Sequence, residues 1–243
     1  MEAGGTKFVC AIGDGSGRLV AEHRFTTGEP RATLAEACRF LGDRGVDSGP
    51  LAAVGLAAFG PLDLDLRSPG YGRMLRTPKV GWSGADLLAM IAEHFPGPVG
   101  LDTDVNAAAR AEHRWGAARG LDTIVYVTVG TGIGGGVLVD GAPLENLADS
   151  DPQWEIEADY LGQLCAQLVL TVAPRRILLG GGVMSQDRLF PAIRARTRVW
   201  LRGYVDREAL SARIEEFIVP PGLGTRSGVL GALALAIEAA VDR

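Results

Sequence analysis

The opening stretch alternates between short apolar runs and polar breaks. Phe8–Ile12 is apolar, Gly13-Asp14-Gly15-Ser16-Gly17 interrupts it, and Leu19–Phe25 resumes. That pattern predicts a β-hairpin on a glycine turn. Over residues 32–44 the period lengthens, with Leu34, Ala37, Cys38 and Leu41 at helical spacing. Leu51–Phe59 reads as a buried strand ending in Gly60-Pro61, and residues 63–83, rich in Gly and Pro, read as a loop excursion. Ala85–Phe95 is predicted as a helix and Val99–Leu101 as a short strand. The strand runs into the polar segment Asp102-Thr103-Asp104-Val105-Asn106, and an Ala-rich helix follows over Ala107–Trp115.

The second half begins the pattern again. Thr123–Val129 is a β-branched strand, followed by Gly130–Gly136, by Val137–Val139 and by an Asp140-Gly141 turn. Both halves set a Gly/Thr-rich segment beside a hairpin with Asp-Gly at a turn, a weak internal repeat that suggests two related subdomains with a cleft between them. Further on come a helix (Glu155–Val172), a strand (Arg176–Leu179), Gly180–Gly182, a helix (Leu189–Trp200), a strand (Ile214–Val219) and a C-terminal helix (Gly228–Val241). Strands alternating with helices predict the α/β class. The expected domains are 1–105, completed by the helix 228–243, and 106–227.

Composition narrows the function classes. Of 243 residues, 47 % are apolar and 22 % charged, so the chain can bury enough surface to fold. A net charge of −5 argues against a broad nucleic-acid face. The 34 glycines are about twice the usual ~7 % share and cluster without a period, which points to glycine loops. Cys10, Cys38 and Cys165 are odd in number and share no short spacing, so each is expected to be a small buried hydrophobe. No signal peptide is read, and apolar stretches such as 166–173 are too short to span a membrane. A reducing cytoplasm is the expected compartment.

Three glycine clusters lie at strand ends: Gly4-Gly5-Thr6-Lys7, Gly130–Gly136 and Gly180-Gly181-Gly182. Glycine lets backbone N–H groups approach an anion, and Thr6, Thr131 and Lys7 add donors and charge. One such cluster is as well explained by a tight hairpin; three together suit a nucleotide site. Neither the Walker pattern, the dinucleotide fingerprint nor the protein-kinase signatures occur. Phosphoryl transfer to a hydroxyl needs a base. Asp104, after a strand and beside Asn106, is the candidate, and a helix N-cap is the equal alternative.

Taken together, Glu2-Ala3-Gly4-Gly5-Thr6-Lys7, Thr103-Asp104-Val105-Asn106-Ala107-Ala108, Gly130–Gly136 and Leu179-Gly180-Gly181-Gly182-Val183 resemble the ROK sugar kinases, in order over nearly the whole chain. Glu2, Ala58-Phe59-Gly60-Pro61-Leu62, Thr77-Pro78-Lys79-Val80-Gly81-Trp82 and Arg114-Trp115-Gly116-Ala117 look most like the bacterial fructokinase branch. The resemblance implies an actin-like ATPase (ribonuclease H-like) fold with the active site between two α/β domains. It implies Asp104 as general base, with Asn106, Gly60 and Pro61 on the sugar. Gly4, Gly5, Thr6 and Lys7 would form the first phosphate loop, Gly130, Thr131 and Gly132 the second, and Gly180, Gly181 and Gly182 the adenosine pocket. Glu2 would hold or orient hydrated Mg²⁺. The implied reaction is ATP plus D-fructose giving D-fructose 6-phosphate and ADP; other hexoses, or a non-catalytic sugar-sensing regulator, are the alternatives. A cytoplasmic homodimer without nucleic-acid or membrane partners is expected. Lys79 and Trp82 suit either a loop packed on its own domain or one near the sugar or a subunit contact. His23, His94 and His113 lie outside the motifs.

The chain departs from the family after Asp140. A Glu-x-Gly-His sugar contact and a zinc site made of a His and three Cys are expected there. Instead the chain passes from Gly141-Ala142-Pro143 through Leu144–Leu147 into Asp151-Pro152-Gln153-Trp154. Zn²⁺ therefore stays open for a full-length protein, but its expected ligands are absent from this chain. Either the chain joins ordered residues across a mobile lobe near 143–147, the reading we favour, or the segment is deleted. The family's first strand usually precedes Glu2, so the chain is also expected to begin a few residues late.

Overall fold

The computed structural model covers residues 1–243 and describes 1–129, 133–139, 142–143, 154–186 and 189–241. In chain order the elements are β1 (Glu2–Ala3), β2 (Lys7–Gly13), β3 (Leu19–Thr26), α1 (Pro30–Ser48), β4 (Val54–Ala58), α2 (Leu87–Ala92), β5 (Val99–Thr103) and α3 (Asp104–Trp115). There follow β6 (Thr123–Val129), β7 (Ile133–Val139), β8 (Ala142–Pro143), α4 (Trp154–Thr171), β9 (Arg176–Gly180) and α5 (Leu189–Leu201). The chain ends with α6 (Glu208–Ser211), α7 (Ile214–Phe217), β10 (Ile218–Val219) and α8 (Ser227–Val241). It divides into two compact units, Met1–Ala108 with Gly228–Arg243, and Ala109–Ser227.

The first unit carries a five-stranded sheet in the order β3-β2-β1-β4-β5. The hairpin β2–β3 is antiparallel, and β1, β4 and β5 run parallel. Side chains alternate across the sheet. Val54, Leu56 and Ala58 of β4 face one apolar core with Leu34, Ala37 and Leu41 of α1 and with Trp82, Leu87 and Ile91. Ala57 faces the other side, against Ala107, Ala232 and Leu235. There the backbone of α8 lies on the sheet, and a Cβ at Gly55 or Gly100 would overlap the carbonyl of Ala232 or Leu235. Close packing of this kind requires glycine.

The second unit repeats the plan. Its sheet order is β10-β9-β6-β7-β8, with β6–β7 and β7–β8 antiparallel and β6–β9 and β9–β10 parallel. Substituting β6, β7, β8, β9 and β10 for β1 to β5 reproduces the first sheet strand for strand. Val125, Val127 and Val129 pack on Leu161 and Cys165 of α4 and on Ile193 of α5. The repeat legible in the glycine segments is thus a repeat of topology.

Two expectations are corrected. The strand expected over Ile214–Val219 is a helical turn, α7, followed by the two-residue β10. Ile214 and Phe217, three apart and both buried, are spaced for one turn of helix, not for a strand. The lobe expected near 143–147 lies outside the described residues. The second correction concerns apolar length. Gly224–Val241, with a mean hydropathy of 1.3, is long and apolar enough by length and composition to cross a membrane. It docks on the first sheet, which accounts for its apolar character as a core helix.

Candidate active site

Register places the site before any side chain is considered. In the first unit Ala3 pairs with Ala58 and Ala58 with Thr103, so three parallel strands end in line. Gly4, Phe59-Gly60-Pro61 and Asp104 leave from those ends together. The carboxyl ends of parallel strands are where α/β sheets bind ligands.

Asp104 opens α3, and the residue before it performs the capping. The Thr103 hydroxyl accepts from the Asn106 N–H at 3.3 Å. Asp104 itself accepts from the adjacent Val105 N–H, at 2.9 Å. Of the two roles left open by the sequence, the cap thus belongs to Thr103. Burial pushes the Asp104 carboxyl up to about 7; the Val105 N–H pulls it partly back, and the charge on Glu2 adds to the rise. Such a group gains and loses a proton near neutral pH, as a general base must.

Asp102 and Asn106 support it from behind. β5 continues through Asp102, whose buried carboxylate accepts from the Thr103 N–H and from Asn106 Nδ2, both at 2.8 Å. Because the amide turns its NH₂ to that carboxylate, Asn106 Oδ1 points away, buried and without a partner. A buried acceptor left unpaired is costly unless a ligand donor meets it. Burial, with the charge of Asp102 second, raises the Tyr71 phenol, so Tyr71 of the 63–83 excursion faces this carboxylate. Sequence spacing carries no signal for Tyr71.

The glycine clusters divide by function of space. Gly4–Lys7 forms the β1–β2 turn, in which the Gly4 N–H donates to the Lys7 carbonyl at 3.0 Å and the Thr27 hydroxyl donates to the Gly4 carbonyl at 2.6 Å. The hairpin reading holds, and the outer side of the turn is open, since a Cβ on Gly5 would meet nothing and Thr6 and Lys7 are exposed. In the second unit Gly181 has φ +93° and lies on the Val129 backbone, and Gly180 is crowded by Tyr126 and Pro221. Gly182 alone of that trio borders open space. Gly130, Thr131 and Gly132 lie outside the described residues.

Lys79 and Trp82 pack on their own unit. Lys79 Nζ donates to the Thr27 carbonyl at 3.0 Å, and Trp82, fully buried, donates from Nε1 to the Gly28 carbonyl at 2.9 Å. Glu2 is largely desolvated, its carboxyl raised by burial and eased by Lys7, and it lies against Gly228. One or two carboxylates together with substrate phosphates suit Mg²⁺, so Glu2 fits that ion. Zinc does not fit: among the described residues no three His, Cys, Asp or Glu side chains gather. A cavity of about 430 Å³ at His23, Glu36, Arg39, Phe40, Asp43 and Arg44 includes none of the candidate residues.

Two α/β units that share one strand order, each on a five-stranded mixed sheet, define an α/β protein with an internal repeat. The ROK family profile matches residues 1–148 and 145–239, and the chain belongs to the ROK family. It is 36 % identical to the fructokinase of Zymomonas mobilis over 294 positions, covering 98 % of this chain and 96 % of that one. To the fructokinase of Pediococcus pentosaceus it is 33 % identical over 285 positions, covering 97 % and 96 %. Both alignments exceed the 243 residues present, so these relatives carry residues that this chain lacks. The ROK glucokinase of Streptomyces griseus, solved with glucose and AMPPNP, superposes with a TM-score of 0.78 at 21 % identity, covering 97 % of each chain.

Proposed function

We propose that this chain is an ATP-dependent hexose kinase with D-fructose as its acceptor, forming D-fructose 6-phosphate and ADP. The observation that carries the reading is Asp104, near neutral in pKa, free of the capping role and next to the unpaired Asn106 Oδ1. The choice of fructose is supported by the fructokinases that the chain resembles over its length. Asp104 takes the proton of the acceptor hydroxyl as that oxygen bonds to the γ-phosphorus and the bond to ADP breaks. Asn106 Oδ1 accepts from a sugar hydroxyl and fixes the acceptor, and Gly60-Pro61 borders it. On this reading the Gly4–Lys7 turn offers backbone N–H groups to the phosphates and Gly180–Gly182 line the adenosine pocket, while Gly130–Gly132, the other expected phosphate loop, lie outside the described residues. Glu2 would hold Mg²⁺ together with the phosphates, and the ion would supply charge neutralisation there.

The test is ADP release by the purified chain with ATP, Mg²⁺ and a panel of hexoses. Fructose turnover well above that of glucose and mannose is expected. The residues that these relatives carry and this chain lacks favour a second reading, transfer to another hexose, and preference for one would replace the fructose assignment while leaving Asp104 in place. Turnover with none would remove the kinase reading. We also assign the protein to the cytoplasm, in keeping with three free buried thiols. A homodimer is in keeping with the exposed Leu66 and Val80 and is checked by light scattering.

A further inference from the structure

Glu112 is fully buried on α3, two turns beyond Asp104, and belongs to none of the glycine clusters. Its carboxylate accepts four hydrogen bonds. Oε2 receives the backbone N–H groups of Ala117 at 2.8 Å and Gly222 at 2.9 Å. Oε1 receives the Leu223 N–H at 2.9 Å and the Ser227 hydroxyl at 2.7 Å. All five residues lie in the second unit. Gly116 is glycine because a Cβ there would overlap this carboxylate, and Gly222 packs on the Ala117 backbone. Arg176 of β9 adds a bond from its guanidinium to the Ala117 carbonyl. The Arg114-Trp115-Gly116-Ala117 segment is thus shaped around Glu112.

Burying a carboxylate is costly unless every lone pair is used, and here four donors use them. The donors are spread over the end of α3 and the segment Pro221–Ser227. That segment touches the third glycine cluster, because Pro221 crowds Gly180. Beyond Ser227 it becomes α8, and between the two ends Gly224–Arg226 is exposed.

We infer that Glu112 is a positioning residue for the nucleotide: its carboxylate fixes Pro221–Ser227 against Gly180 and ties that segment to the helix that Asp104 begins. The inference rests on the reading of Gly180–Gly182 as part of the nucleotide site. Glu112 touches no substrate. It acts by holding one backbone segment in one place, so its loss is felt at ATP and not at the sugar.

The experiment is Glu112→Gln in the full chain, read by KM for ATP, KM for fructose, kcat, binding of a fluorescent ATP analogue, and thermal melting. The amide carries two donors where two donors already point, so the clamp loosens on one side. KM for ATP is expected to rise about tenfold or more, with KM for fructose within about twofold of wild type. Ser227→Ala, which removes one donor and leaves three, is expected to shift KM for ATP in the same direction by less. It serves alone if Glu112→Gln does not fold. A fall in melting temperature with KM for ATP unchanged in the folded variants would make Glu112 a scaffold residue and overturn the inference. Wild-type protein that neither binds the analogue nor turns over any hexose would instead overturn the kinase reading, and this inference with it.

Discussion

Asp104 titrates in the folded chain at about 7, against an ordinary value of 3.8, because burial disfavours its charge. Two outcomes follow from that one displacement. On the proposed reading Asp104 accepts the proton as its carboxylate, so kcat/KM is expected to fall as pH drops through 7. Asp104→Ala should lower kcat by about 10²–10⁴-fold while nucleotide binding persists, measured by ADP release beside equilibrium binding. In stability the sign is opposite. A carboxyl raised on folding stabilises most below its unfolded value, and that contribution is lost as pH climbs through the folded one. Asp104→Asn should therefore melt higher than wild type at pH 8, with the difference closing toward pH 4. A less stable Asn variant at pH 8 would mean that a cation holds Asp104 ionised. Asp104 and Asn106 were legible in the sequence as a polar run at the start of a helix. What spacing could not decide was whether Asp104 caps the helix, because that depends on where the Thr103 hydroxyl points.

Elements were legible where period and length agreed. β6 and the bodies of α1, α4, α5 and α8 carry long unbroken patterns, and they stand as read apart from their end residues. β1, β8 and β10 are two residues each, too short to show a period, and they exist because neighbouring strands supply the hydrogen bonds. α7 was hidden for the same reason. The glycines inside β4 and β5 looked like weak points for strands, and only the docking of α8 explains them. Gly55→Ala would drive a methyl into the Ala232 carbonyl, so it should destabilise by about 1–3 kcal/mol or more, read by chemical denaturation. Gly182→Ala, at a position with open space, should cost little stability and raise KM for ATP. Equal stability losses in the two variants would contradict the packing of α8 on the sheet.

On the scale of the whole molecule, the chain keeps both sheets of the repeated plan while lacking residues that its fructokinase relatives carry. The two-unit plan was legible from repeated glycine segments, whereas the fate of the absent segment was not, since a sequence does not distinguish a break from a join. Metal dependence separates what such a loss removes from what it leaves. All three cysteines are buried within the two cores, Cys10 and Cys38 in the first and Cys165 in the second, with burial raising their thiols to about 11, 11 and 12. Thiols held protonated and apart are poor zinc ligands. His23 is stacked between Phe25 and Phe40 and paired with Glu36. The three cysteines therefore offer zinc no thiol site, and on the proposed reading transfer needs the magnesium that arrives with the nucleotide. Exhaustive chelation should leave the melting temperature unchanged and abolish turnover, and Mg²⁺ alone should restore turnover in full. A melting temperature that falls on chelation and recovers only with Zn²⁺ would show that the shortened chain still builds a structural metal site.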